Sequence, residues 1–264
     1  PLSLRNVEDL LHECGIDESH ETVRTWSNQV LHREPDDPMP PPVALQAMAE
    51  SQDYYARAVA ERRQRPRDDL MTVLVQAELD DPETGARTRL RDDELRSFFM
   101  LLGTAGNETV TKMLATILEL LARHPEQRAL LVREPGRIPD AVEEGLRYDP
   151  PSQYQGRTLT RDVELHGVTM PKGARVLLVN GATGRDERRF EDPERFDVRR
   201  RVDFHLGFGH GRHVCLGASL ARLEMRVALE ELLARFPEYA VGRTHRVHSS
   251  NVRGYASMEL ELPR

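Results

Sequence analysis

The sequence FGHGRHVCLG, residues 208–217, places one cysteine where a glycine-rich loop meets a helix. Backbone N–H groups at a helix start favour negative charge, so a thiolate at Cys215 is stabilised there. Gly209, Gly211 and Gly217 remove side chains on both sides of the sulfur, so a large, flat group could lie close to the backbone. A thiolate presented in this way suits a soft or redox metal. The alternative is an inert core cysteine, whereas zinc is disfavoured because no paired ligand lies at metal spacing.

This pattern matches the heme-ligand signature of the cytochrome P450 family at every defining position, and the chain resembles that family from its central helices to its C-terminus. The resemblance implies that Cys215 is the proximal ligand of heme b, the iron protoporphyrin IX. It also implies that Phe208 packs near the sulfur and that His213 reaches a heme propionate. Gly209 and Gly217 would leave room for the cofactor beside the backbone.

Glu144-Gly145-Leu146-Arg147 puts an acid and a base three residues apart on one predicted helix. Alone, such a pair is an ordinary surface ion pair. Here it resembles the family's E-x-x-R motif, and Asp192-Pro193-Glu194-Arg195-Phe196 resembles the segment that supplies a third member. The resemblance implies a structural ion network of Glu144, Arg147 and Arg195, in which truncating one partner strands a buried charge.

Ala105-Gly106-Asn107-Glu108-Thr109 lies midway along a predicted helix that runs from Asp92 to Arg123. It could be a helix with a polar defect, but it resembles the family's oxygen-binding groove. The resemblance implies that Glu108 and Thr109 are the catalytic acid–alcohol pair and that Ala105 leaves room above the iron. Arg157, which could equally be a solvated arginine, is expected to be a second propionate partner.

The family's chemistry implies a monooxygenase that inserts one oxygen atom of O2 into a small lipophilic molecule, such as a steroid or another lipid. Because no flavin or iron–sulfur motif is present, electrons from NAD(P)H are expected to arrive through a ferredoxin or a similar redox partner. Arg212 is expected to contribute positive charge where that partner docks. The predicted substrate contacts are Leu101, Leu102, Ala105, Ser152, Gln153, Tyr154, Gln155, Val252 and Tyr255. Packing in the core explains the apolar residues among them equally well.

The composition excludes several other classes of protein. A net charge of −7 over 264 residues argues against non-specific nucleic-acid binding, which needs a basic face. The two cysteines, Cys14 and Cys215, lie far apart, so a disulfide framework is not expected. Since no stretch approaches eighteen apolar residues, we expect no membrane anchor and a cytoplasmic location.

The periodicity of apolar residues predicts a mainly α protein with a small β appendage, organised as one domain over residues 1–264. The other helices are predicted at 7–11, 21–32, 43–64, 68–78, 139–148 and 215–236, and short strands at 163–165, 168–170 and 175–179. The last helix is expected to carry an apolar stripe of Leu216, Leu220, Leu223, Val227, Leu232, Leu233 and Phe236. The proline-rich segment 34–42 is a loop, either a surface connector or a mobile lid.

Nothing before Gly103 matches the family's N-terminal helices, and the chain opens on Pro1. We therefore expect a truncated family member that binds heme poorly. Three alternatives stay open: a heme-binding domain without catalysis, a heme-free helical interaction module, and a heme-thiolate enzyme that uses peroxide.

Overall fold

The structure is a computed structural model that describes residues 11–81, 84–249 and 251–263. Two compact units share the chain, and the boundary between them falls within one long helix, after Glu108. The described residues up to Glu108 form the first unit, and those from Thr109 onward form the second unit. The short helix predicted at 7–11 lies outside the described residues apart from Leu11.

The first unit is built from helices. They are α1 (His20–Leu31), α2 (Pro42–Gln64), α3 (Leu70–Gln76) and the first half of α4 (Asp92–Arg123), with a two-stranded antiparallel ribbon of β1 (Glu78–Asp80) and β2 (Arg87–Arg89). Ser19 and Asp69 cap α1 and α3, because their side chains accept hydrogen bonds from the N–H groups of Thr22 and Thr72. Pro42 starts α2, where its missing N–H costs no helical hydrogen bond.

The core of the first unit contains a buried aromatic pair and a buried ion pair. Tyr55 and Phe99 stack with their ring centroids 6.3 Å apart. The Arg62 side chain is only 1% exposed, and its Nε donates to Asp69 Oδ2 over 2.7 Å. Arg62 Nη2 also donates to the carbonyl of Gly15, so this cation joins α2 to the segment that precedes α1.

The second unit combines helices with three separate antiparallel strand pairs. Its helices are the second half of α4, α5 (Pro125–Arg133), α6 (Ile138–Tyr148), α7 (Asn180–Thr183) and α8 (Ala218–Arg235), with 3-10 turns at Pro135–Arg137 and Gly211–His213. The strand pairs are β3 (Gln155–Thr158) with β6 (Arg175–Leu178), β4 (Val163–Leu165) with β5 (Val168–Met170), and β7 (Ala240–Arg246) with β8 (Tyr255–Glu261).

The core of the second unit forms where α4, α5, α6 and α8 pack together. Its members include Met113, Ile117, Leu121, Leu131, Ala141, Leu146, Phe196, Met225 and Leu229. Tyr239 also packs in this core, and its hydroxyl donates to the carbonyl of Leu118 over 2.9 Å. Gly184 allows a close approach behind α6, since any Cβ there would overlap the carbonyl oxygen of Arg147.

The helix α8 has apolar residues on more than one face. Four of the residues in the predicted stripe are exposed to solvent, by 81%, 59%, 48% and 43% for Leu216, Leu220, Leu223 and Val227. The buried positions are instead Ala221, Met225, Leu229 and Leu233. The apolar stripe therefore does not coincide with the buried side of α8, apart from Leu233 and the partly buried Leu232.

Most predicted helices and the three predicted strands are present, and α4 has the predicted bounds. Several elements were not predicted from the sequence: the helices α5 and α7, the ribbon β1–β2 and the strands β3, β7 and β8. The last helix begins at Ala218 rather than Cys215, because residues 216–217 form a turn and Gly217 is the N-cap of the helix. None of the described helices combines the length and the apolar composition that crossing a lipid bilayer requires.

Candidate cofactor site around Cys215

The loop that precedes α8 is held by three backbone hydrogen bonds. The N–H of Cys215 donates to the carbonyl of Phe208 over 2.8 Å, and the N–H of Val214 donates to Gly211 over 3.1 Å. The N–H of Gly209 donates to Leu206 over 2.9 Å. Gly209 has φ +74°, a left-handed conformation that side chains other than glycine rarely adopt. These hydrogen bonds therefore fold the loop back on itself and fix the backbone of Cys215.

Open space surrounds Cys215. Its thiol is free and exposed, and a Cβ added at Gly211 or Gly217 would meet no atom within 4 Å. The neighbouring Val214 and Leu216 expose 55% and 81% of their surface. One unpaired soft donor beside an open apolar surface fits a large, flat cofactor that brings the other ligands of its own metal. The residues that are present therefore fit a heme.

The other predicted cofactor residues of this unit occupy different kinds of position. Phe208 packs against the core, and its carbonyl holds the cysteine backbone. His213 is exposed in the 3-10 turn. Arg157 lies in β3, where its guanidinium donates to the carbonyl of Gly156 over 2.8 Å. Their predicted contacts with propionates stay predictions.

The structure brings Glu144 and Arg147 together in a buried ion pair on α6. Both side chains are 0% exposed, and Arg147 Nε donates to Glu144 Oε2 over 2.7 Å. Arg147 also donates to the backbone carbonyls of Gly184, Pro193 and Arg195. Its guanidinium therefore ties the segments 184–195 to α6.

The expected third cation, Arg195, needs a correction. Its side chain is 63% exposed and lies 3.4 Å from Asp197, so only its backbone carbonyl takes part in the network. The third cation is Arg200, which is 16% exposed and places Nε 3.3 Å from Glu144 Oε2. Arg200 comes closer because Glu191 and Asp192 offer their carbonyls to its other nitrogens.

A second cluster, which the sequence analysis missed, lies beside this network. The residue before Glu144 is Glu143, and its carboxylate accepts hydrogen bonds from His205 Nε2 and Arg222 Nη2, each over 3.0 Å. Burial alone would raise the pKa of Glu143, but these two partners outweigh it and lower the pKa to about 2. The three residues are separated by up to 79 positions, so no local motif could have revealed them.

The groove residues of the sequence analysis lie on α4. Ala105 is exposed, Glu108 is 4% exposed, and Thr109 is half-buried. A Cβ at Gly106 would meet no atom within 4 Å. The boundary between the two units falls directly after Glu108, so the catalytic roles of Glu108 and Thr109 stay predictions.

Two of the predicted substrate segments meet in the second unit. Ser152 forms an antiparallel bridge with Val252, and the N–H of Gln153 donates to the carbonyl of Asn251 over 2.9 Å. The side chain of Gln153 turns inward and donates to Pro150 over 2.6 Å. Tyr255 is 7% exposed, and its hydroxyl accepts from Arg246 over 2.9 Å.

These contacts modify the list of substrate residues. Because Tyr255 is buried and its hydroxyl accepts from Arg246, its side chain is committed to packing. The partly exposed residues of the same segments are Ser152, Gln153, Tyr154, Gln155 and Val252. Leu101, which is 62% exposed, and Leu102, which packs against the core, belong to the first unit together with Ala105.

The comparisons with known proteins agree on one family. A family model described as "Cytochrome P450" matches residues 16–241. Cytochrome P450 123 of Mycobacterium tuberculosis is 44% identical to this chain over 243 residues, which are 91% of this chain and 59% of that protein. The 6-deoxyerythronolide B hydroxylase of Saccharopolyspora erythraea is 39% identical over 243 residues, which are 92% of this chain and 57% of that protein.

A solved structure gives the same result for the fold. A mutant of P450 EryK in complex with erythromycin B matches with a TM-score of 0.85 and 36% identity, over 97% of this chain and 66% of that chain. The mainly α fold with small β elements is thus confirmed. The chain spans less than two thirds of the length of these relatives.

Proposed function

This chain belongs to the cytochrome P450 family, and from that premise we propose that the protein is a heme-thiolate monooxygenase with Cys215 as the iron ligand. It would insert one oxygen atom of O2 into a small lipophilic molecule. The observation that carries the proposal is the loop geometry: a free, exposed thiol on a backbone fixed by the hydrogen bond from Cys215 to Phe208, with open space beside Gly211 and Gly217.

The residues of the chain would divide the work of holding the cofactor. Cys215 would donate the thiolate, and His213 and Arg157 would offer cations to the propionates. Phe208 would pack beside the sulfur and shield it from water. The buried pair of Glu144 and Arg147 would support this arrangement indirectly, because Arg147 ties the segment 184–195, which precedes the loop, to α6. When bound, a thiolate-ligated heme activates dioxygen toward O–O cleavage.

The proton-handling residues would be Glu108 and Thr109, as the resemblance to the family's groove implies. Their chemistry suits the role, since a carboxylic acid and a hydroxyl can pass a proton between them. Electrons would come from NAD(P)H through an external partner such as a ferredoxin. Arg212, which is exposed in the turn before Cys215, would supply positive charge at the docking surface.

The proposed substrate class follows from two relatives of this chain. One relative is named as a hydroxylase of 6-deoxyerythronolide B, and a solved relative was obtained with corticosterone. We propose a lipophilic substrate, contacted by the exposed parts of the bridged segments around Ser152 and Val252. Leu101, Leu102 and Ala105 would contribute further contacts.

The direct test is a carbon-monoxide difference spectrum of the reduced chain after heme is supplied. The Cys215→Ala variant is the test, and Cys14→Ala is the matched control because it removes the other cysteine of the sequence. We expect the thiolate-type Soret band in the unsubstituted chain and in the control, and its loss in Cys215→Ala. A band that survives in Cys215→Ala would refute the assignment.

A turnover assay separates the remaining alternatives. Oxidation that depends on ferredoxin and NAD(P)H is expected. Oxidation supported by peroxide alone would favour the peroxide-driven enzyme, and the thiolate-type band without turnover would favour a heme-binding domain that is not catalytic. No heme uptake at all would favour an interaction module.

A further inference from the structure

We propose that Glu143 is a positioning residue that orders the Cys215 loop through Arg222 and His205. The inference rests on the proposed function, because the loop matters chiefly if Cys215 is the iron ligand. We call Glu143, His205 and Arg222 the loop clamp. Glu143 hydrogen-bonds to the other two members of the clamp and acts on the loop through them.

The first arm of the loop clamp is Arg222. It lies on α8 seven residues after Cys215, which is about two helical turns. Its guanidinium donates to both oxygens of Glu143, and the fork geometry of this contact fixes the direction of the guanidinium plane. The Cζ atom of Arg222 lies 4.7 Å from the centroid of the Phe208 ring. Glu143 therefore holds a cation against one side of Phe208.

The second arm is His205, whose side chain is only 4% exposed. Its Nδ1 accepts a hydrogen bond from the N–H of Gly207 over 3.0 Å, so Nδ1 carries no proton. The proton therefore sits on Nε2, which donates to Glu143 Oε2 over 3.0 Å. The imidazole also lies 5.7 Å from the Phe208 ring, between centroids.

The two arms converge on the residue that holds the cysteine backbone. Phe208 contacts Arg222 and His205 with its ring, and its carbonyl accepts from the N–H of Cys215 over 2.8 Å. Loss of the Glu143 carboxylate would release both arms at once. The loop could then open at Gly207 and Cys215, while the separate Glu144–Arg147 pair on α6 keeps its own hydrogen bonds.

Amide hydrogen–deuterium exchange on the heme-free chain tests this inference. The test variant is Glu143→Ala. The control is Glu231→Ala, which removes an exposed ion pair with Arg235 on α8, the helix that also carries Arg222. In the test variant we expect the amides of Gly207 and Cys215 to exchange about tenfold faster or more, as loss of charge-assisted hydrogen bonds implies. Core amides near Ile117 should keep their rates in both variants.

Two results would overturn the inference. One is loop exchange in Glu143→Ala equal to that in Glu231→Ala. The other is a uniform increase across the second unit, which would mean that Glu143 only stabilises the fold. If Glu143→Ala does not fold, Glu143→Gln is judged by the same two criteria, because it keeps one acceptor oxygen and removes the charge.

A spectroscopic readout extends the test to the heme-loaded chain. We expect Glu143→Gln to lower the fraction of reduced, carbon-monoxide-bound protein with the thiolate-type band, and Glu231→Ala to leave it unchanged. An unchanged fraction in Glu143→Gln would count against the clamp. Failure of the proposed function is distinguishable, because it would abolish that band in the unsubstituted chain, whereas the exchange measurement needs no heme.

Discussion

Replacing Arg200 by methionine tests which cation completes the buried network at Glu144. The matched variant is Arg195→Met, the same substitution five positions earlier in the sequence. Arg200 is 16% exposed on its side chain, whereas Arg195 is 63% exposed. The two variants should therefore differ strongly in stability, although the sequence motif favours Arg195.

The expected size of the effect follows from the contacts that are lost. Arg200→Met removes a 2.7 Å hydrogen bond to the Glu191 carbonyl, a 3.2 Å bond to Asp192, and a cation 3.3 Å from Glu144. Breaking a buried ion pair costs about 3–5 kcal/mol. Because Glu144 keeps Arg147, we expect a smaller loss in the free energy of unfolding, about 2–3 kcal/mol. The exposed pair of Arg195 should contribute less than about 1 kcal/mol.

Urea unfolding followed by circular dichroism measures both changes. The single tryptophan, Trp26, lies in the first unit, so its fluorescence reports on the unit that should not change. A valid comparison requires the same dependence of the unfolding free energy on urea in both variants. The reasoning is refuted if Arg195→Met destabilises the protein as much as Arg200→Met.

Three further predictions concern the loop and α8. The difference in the free energy of unfolding between the wild type and Glu143→Gln should be present above about pH 4.5 and disappear as the pH falls toward 2. The reason is that folding lowers the pKa of the Glu143 carboxyl from 4.5 to about 2. Urea unfolding at several pH values checks this, and a constant difference would contradict it. Gly209→Ala should lower the free energy of unfolding by about 1–3 kcal/mol, because the backbone there has φ +74°. Gly217→Ala should change the free energy of unfolding by less than about 0.5 kcal/mol and still reduce heme uptake. Unreduced uptake would be inconsistent with a cofactor beside Gly217. Leu220→Lys should change the free energy of unfolding by less than about 0.5 kcal/mol, because this side chain is 59% exposed. Urea unfolding checks this, and a large loss of stability would show that the side chain is packed.

Long, strongly periodic elements could be predicted from the sequence, and short or interrupted ones could not. The helix α4 was placed correctly because its apolar spacing persists over 32 residues without a proline. The helix α5 was missed because His124-Pro125 suggests an ending, although Pro125 in fact occupies the first position of a new helix. The strands β7 and β8 escaped because their pairing contains register shifts that break the alternation of buried and exposed residues.

The candidate site also contains some residues that could be predicted from the sequence and others that could not. The local pattern around Cys215 and the pair of Glu144 and Arg147 could be found because their members are close in sequence. The choice between Arg195 and Arg200 could not be made, since both arginines lie in one irregular segment and only packing decides which side chain turns inward. The same holds for the loop clamp, whose carboxylate and guanidinium come from separate helices.

The hydrogen bond between Tyr239 and Leu118 spans 121 positions of the chain, and it has a consequence for protein synthesis. At translation rates of about 5–20 residues per second, a ribosome needs about 6–24 s to add that many residues. During that interval the apolar side of α4 around Ile117 lacks the partners that α8 and Tyr239 later supply, whereas α5 and α6 follow α4 directly. The nascent polypeptide therefore keeps the part of this core that α8 covers exposed until α8 has been synthesised, and a holdase chaperone that recognises apolar helices would bind there.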